Sequence, residues 1–205
     1  MSNATARLDA FTDAAFAFAV SLMVVGGGGF LDYAGLVAVM SAVPSFIIGF
    51  VIIAMFWWGH VRWRAFRGEA GFIGIVLTFA LILAVLVYVH PLRAMSASFA
   101  AYLTGAADPY PGKLNLLFRI YGLGFVVMAA LMAALFADAR KVVADRWTIN
   151  GEIGVWLILI VTGLVSIALT FAGRMSPFAP VVYASLPVSI GLFVSLWRWG
   201  EAGRD

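Results

Sequence analysis

The sequence predicts an all-α, polytopic membrane protein with six transmembrane helices. Three observations lead there. Of 205 residues, 64% are hydrophobic and only 11% charged, whereas soluble domains carry about 25% charged residues. The apolar residues fall into six uncharged runs, each near the roughly 20 residues needed to cross a ~30 Å hydrocarbon core. The charges gather in the short connections between the runs, where they act as topology signals.

The expected unit is a single six-span domain covering residues 1–205. The first span covers approximately residues 10–31, an uncharged run from Ala14 to Leu31 extended at its start by Arg7 and by Phe11-Thr12-Asp13. No cleavable leader is expected, because Arg7, Asp9 and Asp13 precede the run and the next run follows almost at once. The second span, 33–59, is separated from the first only by Asp32 and its neighbours, so the pair is expected to form a tight hairpin. The third, 70–92, ends at His90-Pro91, with His90 expected at the interface. Residues 94–113 are apolar at first and then turn to Gly105, Asp108, Pro109, Pro111 and Gly112. Too short to span, they are expected to form an exposed or interfacial loop. The remaining spans are 117–137, 153–173 and 178–198. Pro44 and Pro187 each lack a backbone donor and are expected to kink the second and sixth spans.

Orientation follows from the basic residues. With both termini cytoplasmic, the inner segments hold Arg7, Arg62, Arg64, Arg67, Arg140, Lys141, Arg146, Arg198 and Arg204. The outer segments hold Arg93, Lys113, Arg119 and Arg174. The positive-inside rule selects this orientation. The aromatic residues agree: all seven Trp fall toward the inner half and all six Tyr toward the outer half.

Composition excludes several functions. The absence of cysteine leaves no disulfide framework and no thiolate metal site. There is no hydrolase elbow, zinc signature or pair of intramembrane carboxylates, so no enzyme, cofactor or metal is expected. The net charge of +3 sits in short loops, which argues against a nucleic-acid surface. The glycine run Gly26–Gly29 lacks the Lys-Ser/Thr of a nucleotide loop and the TVGYG string of a carbonyl filter. It reads as a flexible end to the first helix.

Ionisable groups at the mouth of an apolar helix are costly and therefore structural or functional. Arg7 and Asp13 could form a juxtamembrane salt bridge or a helix-end cap. His60 ends the second span at the level of Asp13, and a bond between the two would satisfy both. On a helical wheel Phe11, Ala14/Ala15, Phe18, Leu22 and Val25 share one face, with Ser21 beside Leu22. That face either packs against other spans or lines a pore.

Arg7-x-x-x-Phe11-Thr12-Asp13 resembles the R-x-x-x-F-S-D signature of the transmembrane protein 175 family of potassium channels. Phe16-Ala17-Phe18-Ala19-Val20-Ser21-Leu22 is similar to that family's F-A-I-A-I-T-L, and Phe56-Trp57-Trp58-Gly59-His60 to its aromatic-Trp-x-x-His stretch. The resemblance covers the first two spans; the others match in number and length. It implies an inner-membrane homotetramer in which the first helices line a potassium-preferring path that could also pass protons. Its partners would be potassium ions, the lipid bilayer and its own copies. The apolar constriction would fall on Phe18, Leu22 and Val25, and the hydroxyl associated with selectivity on Ser21. Arg7, Phe11, Thr12 and Asp13 would form a cluster with His60 that sets the tilt of the pore helix. The chain departs from the pattern in having Phe18 where Ile or Leu is usual, and glycines at 26–29 where an aliphatic stretch leads to an acidic residue. A secondary transporter and a non-conducting structural membrane protein are the alternative classes; the lack of mid-membrane ionisable groups weighs against the first.

Overall fold

The computed structural model describes residues 3–24, 33, 40, 42–105, 107, 110–173, 178–179 and 181–202. Among these, every regular element is helical. Helix α1 is Asn3–Val24, α2 Val43–Arg67, α3 Phe72–Thr104, α4 Leu114–Ala139, α5 Arg146–Leu169, α6 the single turn Val181–Ala184, and α7 Leu186–Ala202. Among the described residues, five segments are long and apolar enough to cross a membrane: α2, residues 72–98 of α3, α4, α5, and residues 181–199. Helix α1, with Arg7, Asp9 and Asp13 in its first half, makes the sixth long helix but is not among those five.

Two boundaries differ from the sequence expectation for physical reasons. Residues 94–104 are helix, not loop: α3 runs through Pro91 to Thr104 and stops at Gly105, whose φ of 69° is left-handed. The segment is held by burial of Leu92, Met95, Ser96, Ala100 and Ala101. A proline inside an apolar helix is tolerated where neighbouring elements re-satisfy the backbone. Helix α2 continues eight residues beyond the expected end at 59, because its last two turns place Arg62, Arg64 and Arg67 against acids of other helices. It closes on Gly68, with φ 67° and its N–H on the Arg64 carbonyl. Most of the expected first half of the second span lies outside the described residues.

The prolines also sort differently. Pro44 and Pro187 stand in the first turns of α2 and α7, where the missing N–H has no intrahelical partner to lose and the ring's fixed φ favours the helix. Most of the span before Pro44 lies outside the described residues, and the sixth span is interrupted two residues before Pro187. That interruption is at Ser185, between α6 and α7, in the turn that Pro187 follows.

Successive helices run antiparallel, which gathers the starts of α1, α3 and α5 and the ends of α2, α4 and α7 at one end of the bundle. Trp147 stacks on Trp197, Trp156 on Phe56, and Trp63 lies against the α-carbon of Gly74. This is the tryptophan end. At the opposite end Tyr88, Tyr121 and Tyr183 pack on one another from α3, α4 and α6. There Arg119 closes the end of α5, donating to the Thr170 hydroxyl and carbonyl at 2.9 and 3.1 Å while stacking over Phe171 at 3.7 Å.

The core lies between α3, α4 and α5, and is built from Leu81, Phe125, Met128, Met132, Phe136 and Leu159. Glycines allow the close crossings. A Cβ on Gly59 would meet the Trp156 indole at 2.3 Å, and one on Gly124 the Tyr88 ring at 2.3 Å. Helix α1 packs against α2 and α3, and α7 against α5 and α6.

Candidate pore helix and its supports

Helix α1 has two different faces. Leu8, Thr12, Phe16, Ala19 and Met23 are buried against α2 and α3. At 100° per residue, these positions span one stripe. Ala14, Phe18 and Ser21 lie roughly opposite and are exposed. Phe16 is 3% exposed and Phe18 57%. Leu22, at the border between the faces, is half-buried and touches the core. Val25 and Gly26–Gly29 lie outside the described residues. The exposed stripe from Ala14 to Ser21 carries no charge. The Ser21 hydroxyl donates back to the Ala17 carbonyl at 3.0 Å.

The supports of α1 come chiefly from α2. The Asp13 carboxylate accepts from Trp57 Nε1 at 2.8 Å. The expected Asp13–His60 bond is not formed. His60, three residues beyond Trp57, points to another side of α2 and its Nε2 is 3.1 Å from the Thr78 hydroxyl on α3. His60 is 2% exposed and packs beside Trp63. Thus the motif at 56–60 serves four neighbours. Phe56 packs on Phe125 and Trp156, Trp57 holds α1, Gly59 admits Trp156, and His60 holds α3.

Within the N-terminal motif, Thr12 is buried and its hydroxyl donates to the Leu8 carbonyl at 2.8 Å. Phe11 is half exposed and meets Phe79 of α3 at 5.6 Å between centroids. Arg7 is exposed and forms no hydrogen bond or ion pair with another described residue. Its place as the cation anchoring α1 is taken by Arg64, whose Nε donates to Asp9 at 2.6 Å. The motif residues are therefore dispersed over contacts to α2 and α3, rather than joined in one cluster around His60.

Sequence reasoning took Arg62, Arg64 and Arg67 only as topology signals. In the structure they make α2 a hub: Arg62 pairs with Glu152 of α5, Arg64 with Asp9 of α1, and Arg67 with Asp138 of α4 at 3.0 Å. The signal available was that all six residues fall at the same ends of antiparallel spans. Charges at one membrane level with opposite signs are expected to pair, because an unpaired charge there is costly.

This arrangement can fix the tilt of α1 while leaving one uncharged face exposed among the described residues. It offers no carboxylate pair, nucleophile with a base, or group of metal-ligating side chains among the described residues. Residues 7–91 match the family described as endosomal/lysosomal potassium channel TMEM175. Residues 7–91 carry the TMEM175 family pattern. The fold agrees over nearly the whole chain. The crystallised potassium channel MtTMEM175, a variant in complex with a nanobody–MBP fusion protein, superposes with a TM-score of 0.78 at 21% identity, over 96% of this chain and 93% of that one. A lysosomal potassium-selective channel TMEM175 homolog from Chamaesiphon minutus superposes with a TM-score of 0.66 at 20% identity, over 96% and 99%. No curated protein matches the sequence.

Proposed function

We propose that the protein is a passive, potassium-preferring cation channel of the cell inner membrane, formed by four copies around their α1 helices, with both termini cytoplasmic. The observation that carries this reading is the uncharged face of α1, turned away from its own bundle, in a segment that matches a potassium-channel family. A helix bearing Arg7, Asp9 and Asp13 at its mouth is poorly suited to face lipid alone. Placed on a fourfold axis, its exposed stripe would meet three others like it.

In that assembly Phe18 forms the first apolar ring, with Leu22 and Val25 further along. Such a ring gates by dewetting: water leaves a narrow apolar passage, and an ion must shed hydration to cross. Ser21 supplies the hydroxyl. Its hydrogen is spent on Ala17, which leaves the oxygen lone pairs free to receive a partly dehydrated cation. The same narrow path could carry protons. Of the motif residues, Asp13 and Phe11 set the tilt of α1 through Trp57 and Phe79, while His60 fixes α3 against α2 through Thr78.

The test is cation flux in liposomes. Phe18→Ala widens the ring and Phe18→Asn also wets it, so both raise flux and weaken the preference for potassium over sodium. Ser21→Ala lowers that preference with a smaller effect on total flux. Phe16→Ala, about 160° away on the helix, acts on folding. Should Phe16 variants open the path while Phe18 variants do not, the wrong face has been assigned. A folded tetramer that conducts in none of these variants favours a structural protein, and flux that requires a coupled gradient favours a transporter.

A further inference from the structure

Apart from the exposed Arg7 of α1, the described basic residues of the tryptophan end divide into two sets. Arg62, Arg64 and Arg67 are engaged by acids inside the bundle. Arg140, Lys141, Arg146 and Arg198 form the second set, and all four are exposed. They stand at the ends of α4, α5 and α7, of which α5 packs against both of the others. Arg140 caps α4, Arg146 opens α5, and Arg198 lies near the end of α7. The rings of Trp147 and Trp197 stack 4.3 Å apart, which holds residues 146 and 198 at one level.

Counting Asp138, Asp145 and Glu201 against Arg67, Arg140, Lys141, Arg146 and Arg198 leaves this rim net positive. Asp138 is buried and taken by Arg67, with Lys141 Nζ at 3.7 Å on its other oxygen. Lys141 itself stays 66% exposed. Asp145 is spent on capping α5: it accepts from the amides of Trp147 and Thr148 and from the Thr148 hydroxyl. Below the rim, α7 shows an exposed apolar stripe at i, i+4 spacing, Val188, Leu192 and Leu196, that continues to Trp199, which is 84% exposed. A positive rim, an interfacial indole and an apolar track beneath them match the three parts of a lipid. Basic residues at a membrane surface attract anionic headgroups, and their stems lie along apolar surface while the charges reach the interface.

We propose that this rim binds the phosphate headgroup of an anionic phospholipid, with the acyl chains lying along the exposed face of α7. The assignment is independent of the channel reading, since it involves neither α1 nor the pore face. Each basic residue near an anionic surface contributes about 1 kcal/mol, about fivefold in affinity, so removing two is expected to weaken binding on the order of 25-fold. Native mass spectrometry of the purified full chain reads this directly, with phosphatidylglycerol and phosphatidylcholine of identical acyl chains as probes. The wild type is expected to retain phosphatidylglycerol more tightly. Arg146→Gln/Arg198→Gln and, separately, Arg140→Gln/Lys141→Gln are expected to lose that difference, and Arg93→Gln/Lys113→Gln at the other end to keep it. Either rim variant suffices if the other does not fold, since each removes two charges from a different element. The proposal is overturned if wild type holds both lipids equally, or if a folded rim variant keeps its preference for phosphatidylglycerol. It is likewise overturned if inorganic phosphate displaces phosphatidylglycerol at matched concentration, because the rim would then be a site for free anions.

Discussion

Asp138→Asn is the most informative single change at the charged end of the bundle. The Asp138 side chain is 7% exposed and the Arg67 side chain 16%. Removing one partner of a buried ion pair costs about 3–5 kcal/mol, because the other charge is left uncompensated. Arg67 retains two compensations: its Nη1 donates to the Glu69 carbonyl at 2.9 Å, and it keeps some access to water. We therefore expect less than that, about 2–3 kcal/mol. The Lys141 contact adds little, since that ammonium is two-thirds exposed and 3.7 Å away. For a chain of this size, 1 kcal/mol corresponds to about 2–4 °C, so the melting temperature in detergent is expected to fall by about 5–10 °C. The decisive comparison is Asp138→Asn/Arg67→Met. Removing both charges abolishes the uncompensated one, so the double variant should recover part of the loss, short of wild type by the cost of a buried amide without its partner, about 1–3 kcal/mol. A single variant as stable as wild type would show that the pair is solvated and does not tie α2 to α4. A double variant no better than Asp138→Asn would show that lost packing, not the stranded arginine, is responsible.

Two further outcomes follow from contacts of α2. Gly59→Ala drives a methyl into the rigid Trp156 indole, 2.3 Å away, and is expected to cost about 1–3 kcal/mol by overpacking; Trp156→Leu in the same chain should recover most of it in thermal unfolding. Thr78→Val keeps the shape of the side chain but removes the hydroxyl that meets His60 at 3.1 Å, leaving a buried ring nitrogen without that partner. A loss of about 1–3 kcal/mol is expected, and a loss no greater than that of Thr78→Ser would mean the bond contributes nothing net.

The helical class of the chain was legible because the membrane imposes it. A backbone in hydrocarbon must satisfy its own hydrogen bonds, so long uncharged runs have to be helices. Helix ends were less legible, since length and apolarity say where hydrocarbon ends, not where the helix does. Arg62, Arg64 and Arg67 look like a boundary by composition, yet α2 passes through them because their charges are paired with Glu152, Asp9 and Asp138. Pro91 looks like a stop, yet α3 passes through it, because Leu92, Met95 and Ser96 are buried. Both errors came from judging one segment without the neighbours that complete it.

The same reason explains what was read of the candidate site. A face of α1 can be drawn from spacing alone, and the burial of Phe16 with the exposure of Phe18 divides the helix along such a line. A partner cannot be drawn that way. Asp13 and His60 were matched by depth in the membrane, but depth fixes only one coordinate, and direction around α2, where residues 57 and 60 stand about 60° apart, decides the rest. Trp57 faces α1 and receives Asp13; His60 faces α3 and receives Thr78. Because two successive turns of α2 hold two different helices, a shift of α2 would move α1 and α3 together. Any motion of the candidate pore helix relative to its own bundle has to break the contacts of Trp57 and Arg64 first.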